Sequence, residues 1–281
     1  MRNAQPEFLE GVFLWRRSGY QLAGDPGIDL LNDKYLHDLN PWIRIAAILE
    51  RAKAGNFDVL SLLIREIQDS NSLAFTDACR LLLGQAGPSS CIRKFLETFT
   101  HEIYVLRDWT IQETVALVLN ESLLLWTIPA MLNVFLKATK RDDAIIIPHL
   151  FSELMEREQG PIYEVESSGI EFKKLVLLQY QGLVVRMQSD QLPVLRGNLF
   201  SVAETAKRLY DCLTASGGRP EVRRERAVFE AVTGIDCRRF YENGNLQPLA
   251  AAAIVEDFLS SQYSTSFEPG VRYFFGHPIP D

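Results

Sequence analysis

The residues of this chain that could do chemistry are four histidines, four cysteines and a few close carboxylate pairs, and their spacing decides what chemistry is open to them. His37, His101, His149 and His277 are 48 or more residues apart in every interval, so no two can share one helical face as zinc ligands. His101–Glu102 opens like a metalloprotease HExxH, but Val105 and Leu106 stand where the second histidine would be required. His149 follows Pro148 in a first helical turn, a structural or solvent-facing position. His277 lies among Arg272, Tyr273, Phe274 and Phe275, but a histidine without a positioned nucleophile or carboxylate is not a general base. Asp142–Asp143 and Glu153–Glu156 read as solvated helix faces. Cys79, Cys91, Cys212 and Cys237 form no CxxC pair and read as buried free thiols of a reducing compartment. GxSxG, GxGxxG and GxxxxGK[ST] are all absent, and Gly217–Gly218, followed by Arg219 and Pro220, reads as a helix stop. The expectation is a non-enzymatic chain with no catalytic residue, no metal site and no cofactor.

Charge narrows the partner classes. The formal net charge of −7 repels phosphate backbones and anionic lipids, so neither nucleic acid nor membrane is an expected partner. The one basic cluster, Arg219, Arg223, Arg224, Arg226, Arg238 and Arg239, is interleaved with Glu221, Glu225, Glu230 and Asp236, which favours intrahelical pairing over a phosphate-binding strip. Val115–Leu136 is long and apolar, but Asn120, Glu121, Ser122, Pro129 and Asn133 interrupt it, and an unpaired glutamate near a bilayer centre costs about 2.5–3.5 kcal/mol. Two buried helices meeting at a bend fit that segment better. Acidic residues precede the short apolar stretch Val12–Trp15 and no cleavage-site pattern follows it, so the expected location is cytoplasmic, without a signal peptide.

The elements that must carry this surface are helices. With 47% apolar and 23% charged residues the composition is that of a globular protein. Trp42, Ile45, Ala46 and Leu49 mark one helical face, with Asn40 as N-cap, Pro41 at the first helical position and a break at Gly55–Asn56. Phe57, Leu60, Ile64 and Ile67 make the returning face, closed by the polar run Gln68–Ser72. A second pair runs through Phe75, Ala78 and Leu82, turns at GQAGPSS, and returns through Ile92, Phe95, Leu96 and Phe99. A third spans Ile111–Leu119 and Pro129–Leu136, and a fourth begins near Asp142 with Pro148 opening Leu150, Phe151, Leu154 and Met155. Equivalent positions lie 32 residues apart from Ala46 to Ala78 and 38 from Ala78 to Ala116, as in degenerate helical repeats.

NPWIRIAAIL (Asn40–Leu49) and ACRLLLGQAG (Ala78–Gly87) resemble HEAT-type repeats, a likeness covering roughly residues 40–158. The expected fold is therefore mainly all-α: a HEAT-like α-solenoid of antiparallel helix pairs over residues 1–159, then a helical C-terminal region, 160–281, packed continuously on it and ending in an irregular aromatic tail. GPIYEVESSG (Gly160–Gly169) is the expected boundary loop. Ile170–Met187 reads either as one buried helix or as a pair of strands, with Gly182 leaving the choice open. Val202 to Leu213 reads as an amphipathic helix capped by Ser201, and Val222–Val232 and Pro248–Leu259 as two more.

FEAVTGIDCRRFYENGNLQPLAAAAIVEDFL (Phe229–Leu259) and GVRYFFGHPIPD (Gly270–Asp281) resemble the C-terminal region of immunity proteins found beside bacterial polymorphic toxins. The resemblance implies a cytosolic antidote in bacterial competition that neutralises a cognate toxin domain by covering its active site or substrate surface, and it transfers no catalytic residue. A general α-solenoid adaptor is the alternative. A helical groove offers a broad face for a folded partner, and an acidic one suits a basic toxin. Glu66, Asp69, Glu97, Glu102, Asp142 and Asp143 are the acids nearest the returning helices and turns, and hence the candidate partner-binding residues. Tyr273, Phe274 and Phe275 are candidate interface anchors, with docking of the tail onto its own domain as the competing role.

Overall fold

The computed structural model describes residues 4–13, 19–106, 108–137, 146–155, 169–215 and 222–280. The fold is mainly helical. The α-helices are α1 (Pro41–Lys53), α2 (Leu62–Asp69), α3 (Leu73–Ala86), α4 (Ser89–Thr98), α5 (Trp109–Glu121), α6 (Thr127–Lys137), α7 (Ile146–Met155), α8 (Gly169–Met187), α9 (Val202–Thr214), α10 (Arg223–Thr233) and α11 (Pro248–Ser260). Among the described residues, three two-stranded antiparallel hairpins accompany them: β1–β2 (Val194–Leu195, Asn198–Leu199), β3–β4 (Tyr241–Glu242, Asn245–Leu246) and β5–β6 (Tyr273–Phe274, His277–Pro278). The chain forms two compact units, Met1–Leu82 with Ser201–Pro280, and Leu83–Phe200. The expected 159/160 boundary and its loop Gly160–Gly169 lie outside the described residues, except for Gly169, which opens α8.

In the first unit, α1 begins where the Asn40 side chain accepts a hydrogen bond from Trp42 N (3.0 Å), with Pro41 in the first turn, where no N–H is needed. It buries Trp42, Ile45, Ala46, Ile48, Leu49 and Ala52 and stops before Gly55, whose φ of +81° suits glycine. A 3-10 turn (Asp58–Ser61) then leads into α2, which returns Leu63, Ile64 and Ile67 to the core. Trp42 meets Phe75 edge to face at 5.1 Å. The Ser201 hydroxyl caps α9 by accepting from Glu204 N at 3.3 Å, and Phe229 of α10 packs edge to face on Phe258 of α11. α9 packs against both α10 and α11.

In the second unit, the apolar run that could have been a membrane span is two helices, α5 and α6, parted by a buried bend at Ser122–Trp126. No helix among the described residues is long and apolar enough to cross a membrane. The buried backbone of the bend is satisfied by a distant segment, as an interior loop requires. Val194 N donates to Leu123 O (2.7 Å), Leu125 N to Leu192 O (3.0 Å) and Trp126 N to Asp190 O (2.7 Å). Asn120 Nδ2 reaches Leu150 O of α7 at 2.9 Å. Ile170–Met187, open between helix and strands in the sequence, lies in the single helix α8.

The hairpins share one device. Their central pairs, Arg196–Gly197, Asn243–Gly244 and Phe275–Gly276, all have positive φ (+49° and +70°, +48° and +76°, +50° and +79°), the signature of a type I′ turn. Asparagine tolerates that conformation, whereas arginine and phenylalanine do so at a cost. The two poor turn formers are the ones that cap a helix. Arg196 N and Gly197 N donate to Glu153 O and Leu154 O at the end of α7, and Phe275 N and Gly276 N donate to Ala231 O and Val232 O at the end of α10, all at 2.7–2.9 Å. Satisfying orphan helix carbonyls offsets the turn strain.

All four cysteines are free. Burial pushes the Cys79 and Cys237 thiols well up and the Cys91 thiol to about 11, while Cys212 is half-buried on α9. Titration of the folded protein with a thiol reagent near pH 8 will therefore modify Cys212 first, and the other three only after denaturation. Rapid modification of all four in the native protein would contradict this burial.

Candidate functional site

The acidic residues read from the sequence as a partner surface differ in what the fold does with them. Glu66 is held by Arg44, whose Nε and Nη2 donate to its two carboxylate oxygens at 2.7 and 2.6 Å, a bidentate clamp between α2 and α1. Asp38 O accepts a third bond from the same guanidinium at 2.7 Å, and the Glu66 bond, with the attraction of Asp38 behind it, holds the Arg44 pKa above its ordinary value. Asp69, one helical turn from Glu66, is exposed and lies 3.3 Å from Arg65. In the second unit Glu97 is exposed on α4, and Glu102 is half-buried in a π-helical turn (Glu102–Leu106) with its Oε2 lacking a hydrogen-bond partner. Asp142 and Asp143 lie outside the described residues. Exposed acidic surface at these positions thus rests on Asp69, which Arg65 pairs, and Glu97.

The tail aromatics are built into the first unit. Tyr273 and Phe274 are buried on β5, and Phe275 is half-buried in the turn. Tyr20 packs edge to face on Phe274 at 5.1 Å and on Phe275 at 6.2 Å, Phe267 meets Tyr273 at 5.0 Å, and the Tyr273 hydroxyl accepts from Glu268 N at 2.9 Å. A Cβ on Gly234 would stand 2.8 Å from the Phe275 ring, so the glycine that ends α10 also makes room for the tail. Lys53 Nζ lies 5.0 Å above the other half of that contact, the Phe275 ring centroid. His277 is exposed, with Gly55 beneath its ring.

Beside that aromatic cluster, part of the interleaved arginine and glutamate cluster lies inside the unit. Arg226 and Glu230, one turn apart on α10, are both 0% exposed and meet at 2.6 Å. The i,i+4 pairing anticipated for the cluster exists, but in the core. Glu230 Oε1 also accepts from Tyr20 N at 3.2 Å, and a Cβ on Gly19 would fall 1.4 Å from that oxygen, so only glycine fits there. Gln21 Nε2 donates to Gly234 O (2.9 Å) and Arg238 Nη1 to Leu22 O (3.3 Å), so residues 19–22 form a strap stapled across the end of α10. Desolvation raises the Glu230 pKa, against the attraction of Arg226. Arg226 Nε and Nη1 are buried without hydrogen-bond partners. Arg208 of α9, outside the basic cluster, pairs with Glu225 at 3.2 Å, and exposed Arg238 pairs with Asp236 at 2.6 Å. Arg219 and Glu221 lie outside the described residues.

The buried pair is closed to solvent, and its chemistry is that of a staple: it fixes the strap and leaves no reacting atom within a ligand's reach. No group of three or more His, Cys, Asp and Glu among the described residues could hold a metal ion. No family model, curated protein or solved structure matches this chain.

Proposed function

We propose that the protein is a non-enzymatic immunity protein, built from HEAT-like antiparallel helix pairs, that binds a cognate bacterial toxin domain and covers its active site or substrate surface. What supports this reading is the succession of short-linked helices, taken in sequence as the pairs α1/α2 and α3/α4, and the exposed acid each pair carries, Asp69 on α2 and Glu97 on α4. Such pairs present preformed surface to a folded partner, and a net charge of −7 draws in a basic one. Steering of this kind speeds encounter, while buried contacts govern release.

The likeness of Phe229–Leu259 and Gly270–Asp281 to polymorphic-toxin immunity proteins names the partner class, and the cytoplasm is the compartment that goes with it. Affinity purification from the native cell, followed by mass spectrometry, is expected to recover one dominant partner, a toxin C-terminal domain. Co-expression of the two is expected to restore growth. Several partners and no protection would instead make the chain a general adaptor. Asp69→Lys and Glu97→Lys are expected to slow association severalfold at low salt and to leave dissociation nearly unchanged, measurable by stopped flow across ionic strengths.

A further inference from the structure

The three hairpins turn alike but are held differently. Arg196–Gly197 and Phe275–Gly276 give their N–H groups to the ends of α7 and α10, whereas Asn243 N and Gly244 N have no hydrogen-bond partner among the described residues. Both residues are exposed, and a Cβ on Gly244 would find nothing within 4 Å. The β3–β4 tip therefore stands in water with room to move. Asn243 O accepts from Asn245 Nδ2, and at 3.5 Å that bond is a weak tie.

Asn243 is the one asparagine of the sequence that is followed by glycine. An asparagine side chain can be attacked by the amide nitrogen of the next residue, which closes a five-membered ring on Cγ. Most residues hinder that attack with a Cβ beside the nitrogen, and glycine has none. Closure needs the intervening peptide turned so that the Gly244 nitrogen faces Asn243 Cγ. That is the type II′ arrangement, with ψ of the asparagine about −120°, reached from type I′ by flipping this one peptide. The flip keeps Asn243 φ positive, at +48° in the present turn, and carries Gly244 φ from +76° to a negative value. Glycine occupies both signs of φ about equally, and no hydrogen bond from Gly244 N among the described residues has to break. In the sister turns the same flip would tear Gly197 N from Leu154 O and Gly276 N from Val232 O.

We propose that Asn243 is a modification site, at which the folded protein converts asparagine to isoaspartate and aspartate with water as co-reactant. The Gly244 N–H gives its proton to hydroxide, and the nitrogen adds to Asn243 Cγ. The new C–N bond displaces the side-chain nitrogen, which takes up a proton and leaves as ammonia. Water then opens the cyclic imide at one of its two carbonyls, and nothing is oxidised or reduced. Opening at the side-chain carbonyl gives aspartate, and opening at the main-chain carbonyl gives isoaspartate, whose backbone runs through Cβ and Cγ. Either product adds a negative charge to the tip, next to exposed Glu242. Isoaspartate also lengthens the two-residue loop by one carbon, which disturbs the pairing of Glu242 with Asn245 and of Tyr241 with Leu246.

The test is incubation of the full folded chain in mildly alkaline buffer, followed by proteolysis and mass spectrometry. The peptide that carries Asn243 is expected to gain one mass unit and to split into two chromatographic forms, one of which accepts a methyl group from an isoaspartyl methyltransferase. Its rate should exceed that at Asn198 and Asn245, both followed by leucine, by about tenfold or more, because a Cβ crowds the attacking nitrogen there. Asn243→Gln would need a six-membered ring, so it should abolish the gain, with circular dichroism checking that the variant is folded. No mass gain in the folded chain, over a time in which the urea-unfolded chain reacts, overturns the proposal. A gain that appears first at another asparagine does so too. A folded-state rate that rises with added urea in proportion to the unfolded fraction would place the reaction in the unfolded chain and equally overturn it.

Discussion

Replacement of Arg226 by methionine will cost about 3–5 kcal/mol of stability, the range for stranding one charge of a buried pair. Both partners are fully buried, so no water can take over the hydration of Glu230 once the guanidinium is gone. The carboxylate also accepts from Tyr20 N, so its displacement loosens the strap formed by residues 19–22 as well as α10. The double variant Arg226→Met/Glu230→Leu is expected to recover most of the loss. The pair meets at 2.6 Å but leaves Arg226 Nε and Nη1 unpartnered, and a buried pair with unmet donors gains little over apolar side chains of similar volume. Chemical denaturation of the four proteins of this cycle measures the coupling directly, and single-variant losses that simply add would contradict a paired buried site.

The same site sets a pH dependence of definite sign. The folded-state pKa of Glu230 is raised above 4.5, with burial as the main cause, opposed by Arg226, Tyr20 N–H and Lys53 and assisted by Asp236. A raised pKa means the folded chain holds this proton more tightly than the unfolded one. Its contribution to stability is complete below about pH 4.5 and is lost as pH rises through the raised value. The stability of the native protein relative to Glu230→Gln is therefore expected to fall across that window, and a flat difference would show that the carboxylate is not desolvated as the fold implies.

Gly84→Ala will lower the thermal midpoint by about 10 °C, corresponding to roughly 3 kcal/mol. The sign is informative because helix propensity alone predicts a gain of about 1 kcal/mol for the same change. Gly84 lies near the end of α3, where an added Cβ would stand 2.5 Å from Glu121 Cβ and 3.0 Å from Val118 O of α5. Those are a side-chain stem and a backbone carbonyl, neither able to swing aside, so the two helices must part. Parting them also strains the bond from Gln85 Nε2 to Glu121 Oε2, 2.7 Å long and buried. Gly182→Ala, in the middle of α8, is the matched control: its Cβ meets open space, and the propensity gain should appear there.

These two glycines show where sequence reasoning stops. The sequence reads Gly84 as the start of a turn and Gly182 as leaving helix or strands open, yet both lie inside helices, α3 and α8, and only the neighbour supplied by a distant helix separates a forced glycine from a dispensable one. The hairpins were within reach, since Asn243–Gly244 is a strong type I′ signal, but Arg196–Gly197 and Phe275–Gly276 carry residues that disfavour that turn. Their turns become tolerable because helix ends far away in the chain accept their N–H groups.

Local order by itself determined the helices: apolar spacing, the Asn40–Pro41 start, the break at Gly55 and the bend in the segment from Val115 to Leu136 are all written within a few turns of chain. The tertiary structure decided which residues are spent inside. Glu66, Tyr273, Phe274, Arg226 and Glu230 could each have served a surface, and each is drawn into packing or pairing, because the first 82 residues and Ser201–Pro280 close into one compact unit. The physical reason is range. Helix signals act over a few residues, whereas the burial of a charge depends on partners such as Tyr20 and Glu230, 210 residues apart.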